Sequence, residues 1–334
     1  MRTVFDPRQR AHAPALELMN GGFVPFAETP ARAEAILAAL GPVEPPADHG
    51  EAPLRAVHGE AYLAFLWAAH QDWRAAGREG DAFGYAWPVV RRRPLDLERI
   101  DARLGAYSFD ASSPIAAGTW EGAYWSAQTA LTALDHVLAG ERAAFALCRP
   151  PGHHAGRDYL GGYCYLNNAA IAAEAAAGAG RRVAILDVDY HHGNGTQDIF
   201  YARGDVLFVS LHADPKTDYP YFWGHADETG EGEGEGATLN LPLQRGTDLA
   251  AYLPALDTAL ARIAAFAPDL LVVSYGADTY AGDPISHFRL ETRDYTALGR
   301  RIAGLGLPVL AVMEGGYAID ALGANVASFL EGLS

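Results

Sequence analysis

The sequence predicts an α/β protein built on buried parallel strands. Short aliphatic runs alternate along the chain with alanine-rich segments of helical periodicity, as in parallel strands joined by crossover helices. The predicted strands cover residues 183–188, 206–211, 270–275 and 308–313. The predicted helices, each ended by glycine, Ala-Gly or a following proline, include residues 121–139, 169–177 and 249–266.

No change in composition divides the 334 residues into separate domains. Two loop-like segments interrupt the pattern, 76–93 with three arginines at its end and 214–236 with a repeated Gly-Glu pair, but the alternation continues across both. With 50% hydrophobic and 20% charged residues, the chain can bury a large core. We therefore expect one large domain over residues 1–334.

The charge of the chain narrows the classes of partner. Lys+Arg 25 against Asp+Glu 41 gives a formal net charge of -16, which repels nucleic acid and anionic membranes and attracts cations. This balance favours a small cationic substrate. Lys216 is the only lysine, which argues against mechanisms that need a P-loop lysine, a Schiff-base lysine or a Ser-Lys pair.

The cysteines and the N-terminal segment predict a cytoplasmic protein. Cys148 and Cys164 do not form a Cys-x-x-Cys pair, so they provide neither a disulfide scaffold nor a thiolate zinc site, which fits a reducing compartment. Residues 1–22 lack a signal-peptide pattern, and no uninterrupted apolar stretch approaches about 18 residues. We expect no membrane partner.

The strongest candidate site follows the predicted strand 183–188. Asp187, Asp189 and His191 lie two residues apart, so an extended chain places them on one face, where burial is costly unless a cation binds. Asp278 follows the strand 270–275. Asp189, His191 and Asp278 make three ligands, the number in a catalytic zinc site that leaves one position for water. Because oxygen ligands predominate, Fe(II) and Mn(II) stay open as alternatives.

Two further clusters carry polar residues in glycine-rich surroundings. The loop 149–156 contains His153 and His154, and Tyr317 follows a glycine pair after the last predicted strand. Taken alone, adjacent histidines are as typical of a solvated turn as of a site. A single tyrosine taken alone is more typical of a core or surface position.

Together these clusters resemble the zinc-dependent histone deacetylase-like amidohydrolases of the arginase/deacetylase superfamily, in particular the bacterial acetylpolyamine amidohydrolases. The resemblance spans about residues 149–317 and rests on the motifs RPPGHHAG, GGYCYLNN, DVDYHHGNGTQ, SLH, GAD and EGGY, in the family's order. The segments ELMNGG at 17–22 and GTWE at 118–121 resemble the polyamine branch.

The resemblance implies a three-layer αβα sandwich around a mostly parallel, about eight-stranded sheet. It also implies zinc, with Fe²⁺ as an alternative, held by Asp189, His191 and Asp278. A structural potassium ion is implied beside them, bound by the side chains of Asp187 and Ser210 and by main-chain carbonyls of Asp189, His191 and Leu211.

By the same resemblance, His153 pairs with Asp187 and His154 with Asn194. Since a carboxylate favours the imidazolium whereas an amide supplies no charge, His154 is the expected proton shuttle. Tyr317 is the expected donor to the oxyanion. The residues expected to contact substrate are Glu17, Gly162, Gly315 and two tyrosines that line a narrow tunnel, Tyr163 and Tyr219.

The predicted reaction is hydrolysis of N-acetylated polyamines or diamines, such as acetylputrescine or acetylcadaverine, to acetate and a free amine. Protein Nε-acetyl-lysine deacetylation is the alternative, because both substrates present an acetamide on an aliphatic chain. An arginase-type binuclear manganese site is disfavoured by Tyr280 two residues after Asp278, and a serine hydrolase by the lack of a Gly-x-Ser-x-Gly motif. A non-catalytic sensor on this fold is expected to lack a catalytic group, and none is missing.

The resemblance also implies a homodimer. An insertion around residues 76–107 is expected to pack against the second subunit and to narrow the entrance, so that a slender diamine enters and a peptide does not. Carboxylates expected at the mouth to attract a cation are Glu17, Asp96, Glu98, Asp101, Glu231, Glu233 and Glu235.

Overall fold

The computed structural model describes residues 1–88 and 96–334. Its strands are β1 (Arg2–Val4), β2 (Leu16–Met19), β3 (Gly22–Pro25), β4 (Ala143–Ala146), β5 (Val183–Asp187), β6 (Val206–Ala213), β7 (Thr238–Leu243), β8 (Leu270–Tyr275) and β9 (Val309–Met313). β2 and β3 pair as an antiparallel hairpin. The other seven strands form one sheet in the order β1-β4-β9-β8-β5-β6-β7, and every neighbouring pair is parallel.

Helices cover both faces of this sheet. They are α1 (Ala31–Leu40), α2 (Ala52–Val57), α3 (Glu60–Ala75), α4 (Ile100–Ala106), α5 (Thr119–Leu138), α6 (Asn168–Gly178), α7 (Asn194–Phe200), α8 (Leu249–Phe266), α9 (Thr292–Ala303) and α10 (Ile319–Leu333). Short 3-10 helices lie at Pro7–Ala11 and Gly232–Gly234.

Alternation along the strands divides the core into two layers. Val183 and Ile185 of β5 pack into one apolar cluster with α2 to α6, whereas Ala184 and Leu186 pack into the other with α1, α8, α9 and α10. Successive side chains of a strand point to opposite faces, so a strand covered on both sides is apolar throughout. The predicted three-layer αβα sandwich is confirmed.

The four predicted strands and three predicted helices are confirmed, with bounds that differ by at most two residues. The described residues contain seven strands in the main sheet rather than about eight, and all are parallel. Three of these strands, β1, β4 and β7, were not predicted. β4 has the sequence Ala-Ala-Phe-Ala and is not separable by composition from the alanine-rich helices, and β7 is an edge strand that contains Pro242.

The insertion around residues 76–107 contains α4. A Cβ on Gly105 would lie within 1.7 Å of the carbonyl oxygen of Ala86, so this helix packs closely on the preceding loop. The three arginines at the end of the predicted loop-like segment 76–93, Arg91 to Arg93, lie outside the described residues. The predicted contact of this insertion with a second subunit stays a prediction.

Within residues 1–88 and 96–334, α8 is the helix that is long and apolar enough to cross a membrane by length and composition alone. It packs on the sheet with Tyr252, Leu256, Ala259 and Ile263 fully buried, as the core helix of an α/β domain does.

Candidate active site

Three side chains converge where β5 and β8 end. The ligand atoms of Asp189, His191 and Asp278 all lie within 4.8 Å of one another. His191 Nδ1 lies 3.3 Å from Asp189 Oδ1 and 3.0 Å from Asp278 Oδ2. Burial and the neighbouring Asp189 raise the pKa of Asp278, as happens when two carboxylates share a dry site. A divalent cation between them would relieve this repulsion, so the donor set fits one.

Two glycines make room for these donors. A Cβ on Gly276 would lie 2.0 Å from Asp189 Oδ2, and a Cβ on Gly315 would lie 2.5 Å from Asp278 Oδ2. The backbone N–H of Gly315 also donates to Asp189 Oδ2 at 2.8 Å. Gly315, which was predicted to contact substrate, therefore orients a candidate ligand as well.

The two adjacent histidines differ in their partners. His153 Nδ1 lies 3.0 Å from Asp187 Oδ2, and His154 Nδ1 lies 2.7 Å from Asn194 Oδ1. Burial disfavours a charge on His153, but the nearby carboxylates outweigh it and raise its pKa to about 10. Burial and the charge on His153 lower the pKa of His154 well below its usual range. The pair therefore holds one charged and one neutral imidazole, and the neutral His154 can accept a proton.

A buried carboxylate that was predicted only as part of a motif supports this histidine loop. Glu314 Oε2 accepts hydrogen bonds from the backbone N–H groups of Gly152 and His153, at 2.7 and 3.1 Å. Its Oε1 accepts from the Ser274 hydroxyl at 3.1 Å. Glu314 thus connects the loop 149–156 to the end of β8, a contact that no spacing in the sequence indicates.

The residues predicted to bind potassium lie together at the ends of β5 and β6. The strand register places Asp187 opposite Ser210, and both are fully buried. Asp187 Oδ1 accepts the N–H of Asp189 at 3.1 Å, and the Ser210 hydroxyl pairs with His212 Nδ1 at 2.8 Å. Leu211 follows on β6. Buried oxygen atoms of this kind are the ligands that hard cations prefer.

Tyr317 lines the same cavity as the two histidines. Its ring packs edge-on against Tyr163 at 5.5 Å, and the Arg32 guanidinium lies 4.9 Å from its centroid. Burial raises the pKa of the Tyr317 hydroxyl well above its usual range, so it stays protonated and can donate a hydrogen bond.

A cavity of about 460 Å³ opens over these groups. Eight of the predicted site residues line it, namely His153, His154, Gly162, Tyr163, His191, Tyr219, Gly315 and Tyr317. Six others lie outside its lining and are almost fully buried, namely Asp187, Asp189, Asn194, Ser210, Leu211 and Asp278. The predicted set is therefore brought together in one place, as a lined cavity with a layer of buried polar groups beneath it.

The two tyrosines predicted to line a tunnel are held by different means. Tyr163 has a φ of +67° and is buried. Tyr219 stacks on Phe109 at 5.9 Å, and its ring is nearly perpendicular to that of His154 at 5.2 Å. The Tyr219 hydroxyl donates to Asp110 Oδ2 at 2.7 Å. This hydroxyl therefore fixes the wall of the cavity.

Asp110 is a cavity residue that the sequence reasoning missed. Its Oδ2 also accepts the N–H of Gly162 at 2.9 Å and the Ser112 hydroxyl at 2.7 Å. Gly162 cannot carry a side chain, because a Cβ there would lie 2.2 Å from the His154 ring. Asp110 lies in a loop remote from every predicted strand, and only its Asp-x-Ser turn could have marked it.

Glu17 is placed differently from its prediction at the mouth. Its side chain is fully buried, and its Oε1 accepts the N–H of Ala27 at 3.1 Å. Burial raises its pKa, against the effect of the nearby Tyr163 hydroxyl. Its neighbours Leu18 and Met19 line the cavity, whereas Glu17 lies behind the wall.

The other acids predicted at the mouth do not line this cavity, so that expectation needs correction. Asp101 is buried in ion pairs with Arg78 and Arg99, which hold the pKa of its carboxyl at about 2. The remaining five are outside the lining: Asp96, Glu98, Glu231, Glu233 and Glu235. The carboxylates among the lining residues are Asp110 and Asp218, which sequence position alone does not bring together.

The sequence and fold of this chain are similar to those of several known proteins. The histone deacetylase domain family matches residues 27–333. Acetylpolyamine amidohydrolase 1 of Pseudomonas aeruginosa is 53% identical over 99% of this chain and 98% of its own length. Acetylpolyamine amidohydrolase of Mycoplana ramosa is 48% identical over the whole of both chains. The crystal structure of acetylpolyamine aminohydrolase from Burkholderia pseudomallei superposes with a TM-score of 0.95 at 45% identity, covering 99% and 98% of the two chains.

The chain belongs to the histone deacetylase domain family. It is therefore a hydrolase of the deacetylase class. Members of this family are generally metal-dependent.

Proposed function

We propose that this protein is a zinc-dependent amidohydrolase that removes acetyl groups from N-acetylated polyamines or diamines. The observation that carries the proposal is the convergence of Asp189, His191 and Asp278 beside a cavity that His154 and Tyr317 also line. Acetate and a free amine are the products.

The divalent ion, when bound by these three residues, supplies Lewis-acid chemistry by making water more acidic and by polarising the acetyl carbonyl. The protein's own groups then carry the proton and the developing charge. His154 accepts the proton of the attacking water, because its Nε2 is free of the Asn194 contact at Nδ1. His153 carries a positive charge because it pairs with the Asp187 carboxylate. This charge favours the negative charge that develops on the reacting carbonyl oxygen.

The later steps use the same residues in reverse roles. The Tyr317 hydroxyl donates to the carbonyl oxygen as it becomes negative, which stabilises the transition state. His154 then returns its proton to the nitrogen of the leaving amine. Asn194 keeps the ring in place in both steps without adding charge.

The substrate class rests on two observations. The family matches only from residue 27, whereas the relatives named acetylpolyamine amidohydrolase match at least 99% of the chain, including the β2–β3 hairpin that lines the cavity with Leu18 to Asn20. The wall carboxylate Asp110 favours a cation in the cavity, and the net charge of -16 favours its approach.

A structural potassium ion at Asp187 and Ser210 and a homodimer are parts of the same proposal. Exposed aromatic side chains support the dimer, since Phe23 of β3 is 62% exposed and Tyr85 of the insertion 67%. An aromatic surface of this kind is favourable when a second subunit covers it. Sedimentation at several concentrations tests the dimer.

The proposed function is tested by a turnover panel. Acetylputrescine, acetylcadaverine and longer acetylpolyamines are compared with acetyl-lysine peptides, and kcat/KM is measured for each. We expect the small cationic amides to be hydrolysed faster than the peptides. Equal or greater kcat/KM on the peptides would favour the alternative, a protein acetyl-lysine deacetylase, and would leave the metal-dependent mechanism in place.

A further inference from the structure

Asp283 holds the backbone of the proposed oxyanion donor. Its Oδ2 accepts the N–H of Tyr317 at 2.7 Å and the N–H of Ala318 at 3.3 Å. Its Oδ1 accepts the N–H of Ile285 at 3.1 Å. The side chain is almost fully buried, so these three backbone donors replace the water that the carboxylate loses.

The backbone that leads to Tyr317 is held residue by residue. Gly315 and Gly316 precede the tyrosine, and Gly316 has a φ of +121°, which side-chain-bearing residues rarely adopt. The glycine pair is held by the Gly315 N–H, which donates to Asp189 Oδ2, and by the Gly316 carbonyl oxygen, which accepts from Arg32 Nε at 2.6 Å. The contacts described for the Tyr317 ring itself are packing against Tyr163 and the nearby Arg32 guanidinium. The hydrogen bond to Asp283 fixes the first backbone atom of the tyrosine itself.

The same loop carries a candidate metal ligand. Asp283 follows Asp278 by five residues in the segment between β8 and α9, and the Ser286 hydroxyl donates to the carbonyl oxygen of Asp278. One short loop therefore connects the metal donor set to the backbone of Tyr317. A carboxylate in it can therefore influence the position of Tyr317 relative to the candidate ligand Asp278.

We propose that Asp283 is a positioning residue, which keeps the Tyr317 hydroxyl aimed at the reacting carbonyl oxygen. This inference rests on the proposed function, because Asp283 acts through Tyr317 and the proposed function makes Tyr317 the oxyanion donor. The competing explanation is structural, since α10 begins two residues after Tyr317 and Asp283 also satisfies N–H groups at the start of that helix.

A double-mutant cycle separates the two explanations. Asp283→Asn and Asp283→Ala are made in the wild-type protein and in Tyr317→Phe, and kcat, KM, metal content and melting temperature are measured. Asparagine keeps one oxygen and can satisfy only part of the three N–H groups, whereas alanine satisfies none. Since a displacement of about 1 Å can cost about 100-fold, we expect kcat to fall about 10-fold in Asp283→Asn and about 100-fold in Asp283→Ala.

In the Tyr317→Phe background, where no hydroxyl remains to be aimed, Asp283→Asn should lower kcat by less than about twofold. KM and metal content should stay close to their wild-type values in both backgrounds. An equal loss of kcat in both backgrounds, or loss of metal from Asp283→Asn, would overturn the inference. Wild-type kcat in Asp283→Asn would overturn it too.

Asp269→Ala is the matched control. Asp269 Oδ2 accepts the N–H of Arg182 at 2.8 Å, the same kind of bond at the opposite end of β8, and its loss should leave kcat unchanged. If both Asp283 variants fail to fold, capping of α10 is the role of Asp283 and the inference is wrong.

Hydrogen exchange gives a readout that does not depend on the substrate. Peptides covering residues 314–319 should exchange faster in Asp283→Asn than in wild type, and at the wild-type rate in Asp269→Ala. Unchanged exchange would overturn the inference. If the proposed function itself is wrong, the wild-type protein will hydrolyse no acetylated amine, which is a different result from any of those above. The kinetics of all variants are measured on the acetylated amide that the wild-type protein hydrolyses fastest.

Discussion

The cavity has two regions of opposite character. Its floor consists of the lining residues His153, His154 and His191 and of the buried residues Asp187, Asp189 and Asp278 beneath them. This floor is nearly closed to solvent, and most of its ionisable groups pair with one another. Its rim mixes aliphatic, polar and aromatic residues of the cavity lining, namely Leu18 to Asn20, Asp110 to Ser112, Asp218, Tyr219 and Tyr221. Phe222, next to this rim in the chain, is 79% exposed. The floor gives fixed positions to groups that handle charge, and the rim offers contacts to whatever chain enters. Chemistry and substrate choice are therefore separable by mutation.

The largest expected effect comes from the floor. Asp278→Ala leaves two of the three candidate ligands, too few to hold a divalent ion firmly, so turnover should be lost together with bound metal. The Ser286 contact to the backbone of Asp278 survives, so the fold should persist. Elemental analysis of the purified variant measures the metal, and circular dichroism checks the fold. One full equivalent of tightly bound metal in Asp278→Ala would remove this residue from the ligand set.

The next effect separates catalysis from metal binding. Tyr317→Phe removes one donor to the developing oxyanion, and we expect kcat to fall about 100-fold to 1,000-fold, or roughly 2.7 to 4 kcal/mol in the transition state. Metal content should not change, because Tyr317 is not among the converging donors. Stopped-time assays of acetate release, with elemental analysis in parallel, measure both. Wild-type kcat would show that another group holds the oxyanion.

We expect the stability of the protein to depend on pH through the buried side chain of His58. His58 accepts the N–H of Asn167 at Nε2 and contacts the carbonyl oxygen of Gly156 at Nδ1, which requires the neutral ring. Burial lowers the pKa of His58 to about 4. The unfolded chain, with a histidine pKa near 6.5, binds a proton first as the pH falls, so stability is lost between pH 6.5 and pH 4.

For His58 alone this loss is about 2 kcal/mol between pH 7 and pH 5. His58→Gln keeps one donor and one acceptor without a titrating group, so the difference between wild type and variant in urea unfolding should shrink toward pH 5. A wild-type pH dependence in His58→Gln would show that other groups cause it.

The smallest expected effect belongs to the rim. Asp110→Asn keeps an oxygen for the Tyr219 hydroxyl but removes a charge from the wall, so KM for acetylputrescine should rise about threefold to fivefold, the scale of a partly exposed ion pair. The KM of a neutral acetylated alkylamine of similar length should not change, and kcat should stay constant for both. High salt should reduce the difference between the two substrates. An equal rise in both KM values would assign Asp110 a structural role only.

The floor could be predicted from the sequence because its residues are close together along the chain. Asp187, Asp189 and His191 lie within five positions of one strand end, and parallel strands bring their carboxyl ends to the same edge, which adds Asp278. The buried parallel strands themselves were visible as aliphatic runs, since burial on both faces removes polar residues from them.

The rim and the anchors could not be predicted in this way. Asp110 meets Gly162 and Tyr219 from 52 and 109 residues away, through loops without periodicity. Asp283 and Glu314 act on backbone N–H groups, and any residue type has such a group, so no partner in the sequence identifies them. Strand β4 was missed because a short alanine-rich strand has the composition of a helix.

The single lysine has a practical consequence. Lys216 is exposed and lies three residues before Tyr219, in the loop that leads to the rim. Apart from the α-amino group, Lys216 is the only aliphatic amine in the sequence, so an amine-reactive dye has at most two points of attachment and no engineered cysteine is needed. A label on Lys216 lies three residues before Tyr219 of the cavity lining, so its fluorescence can be followed as substrate is added to the wild-type protein.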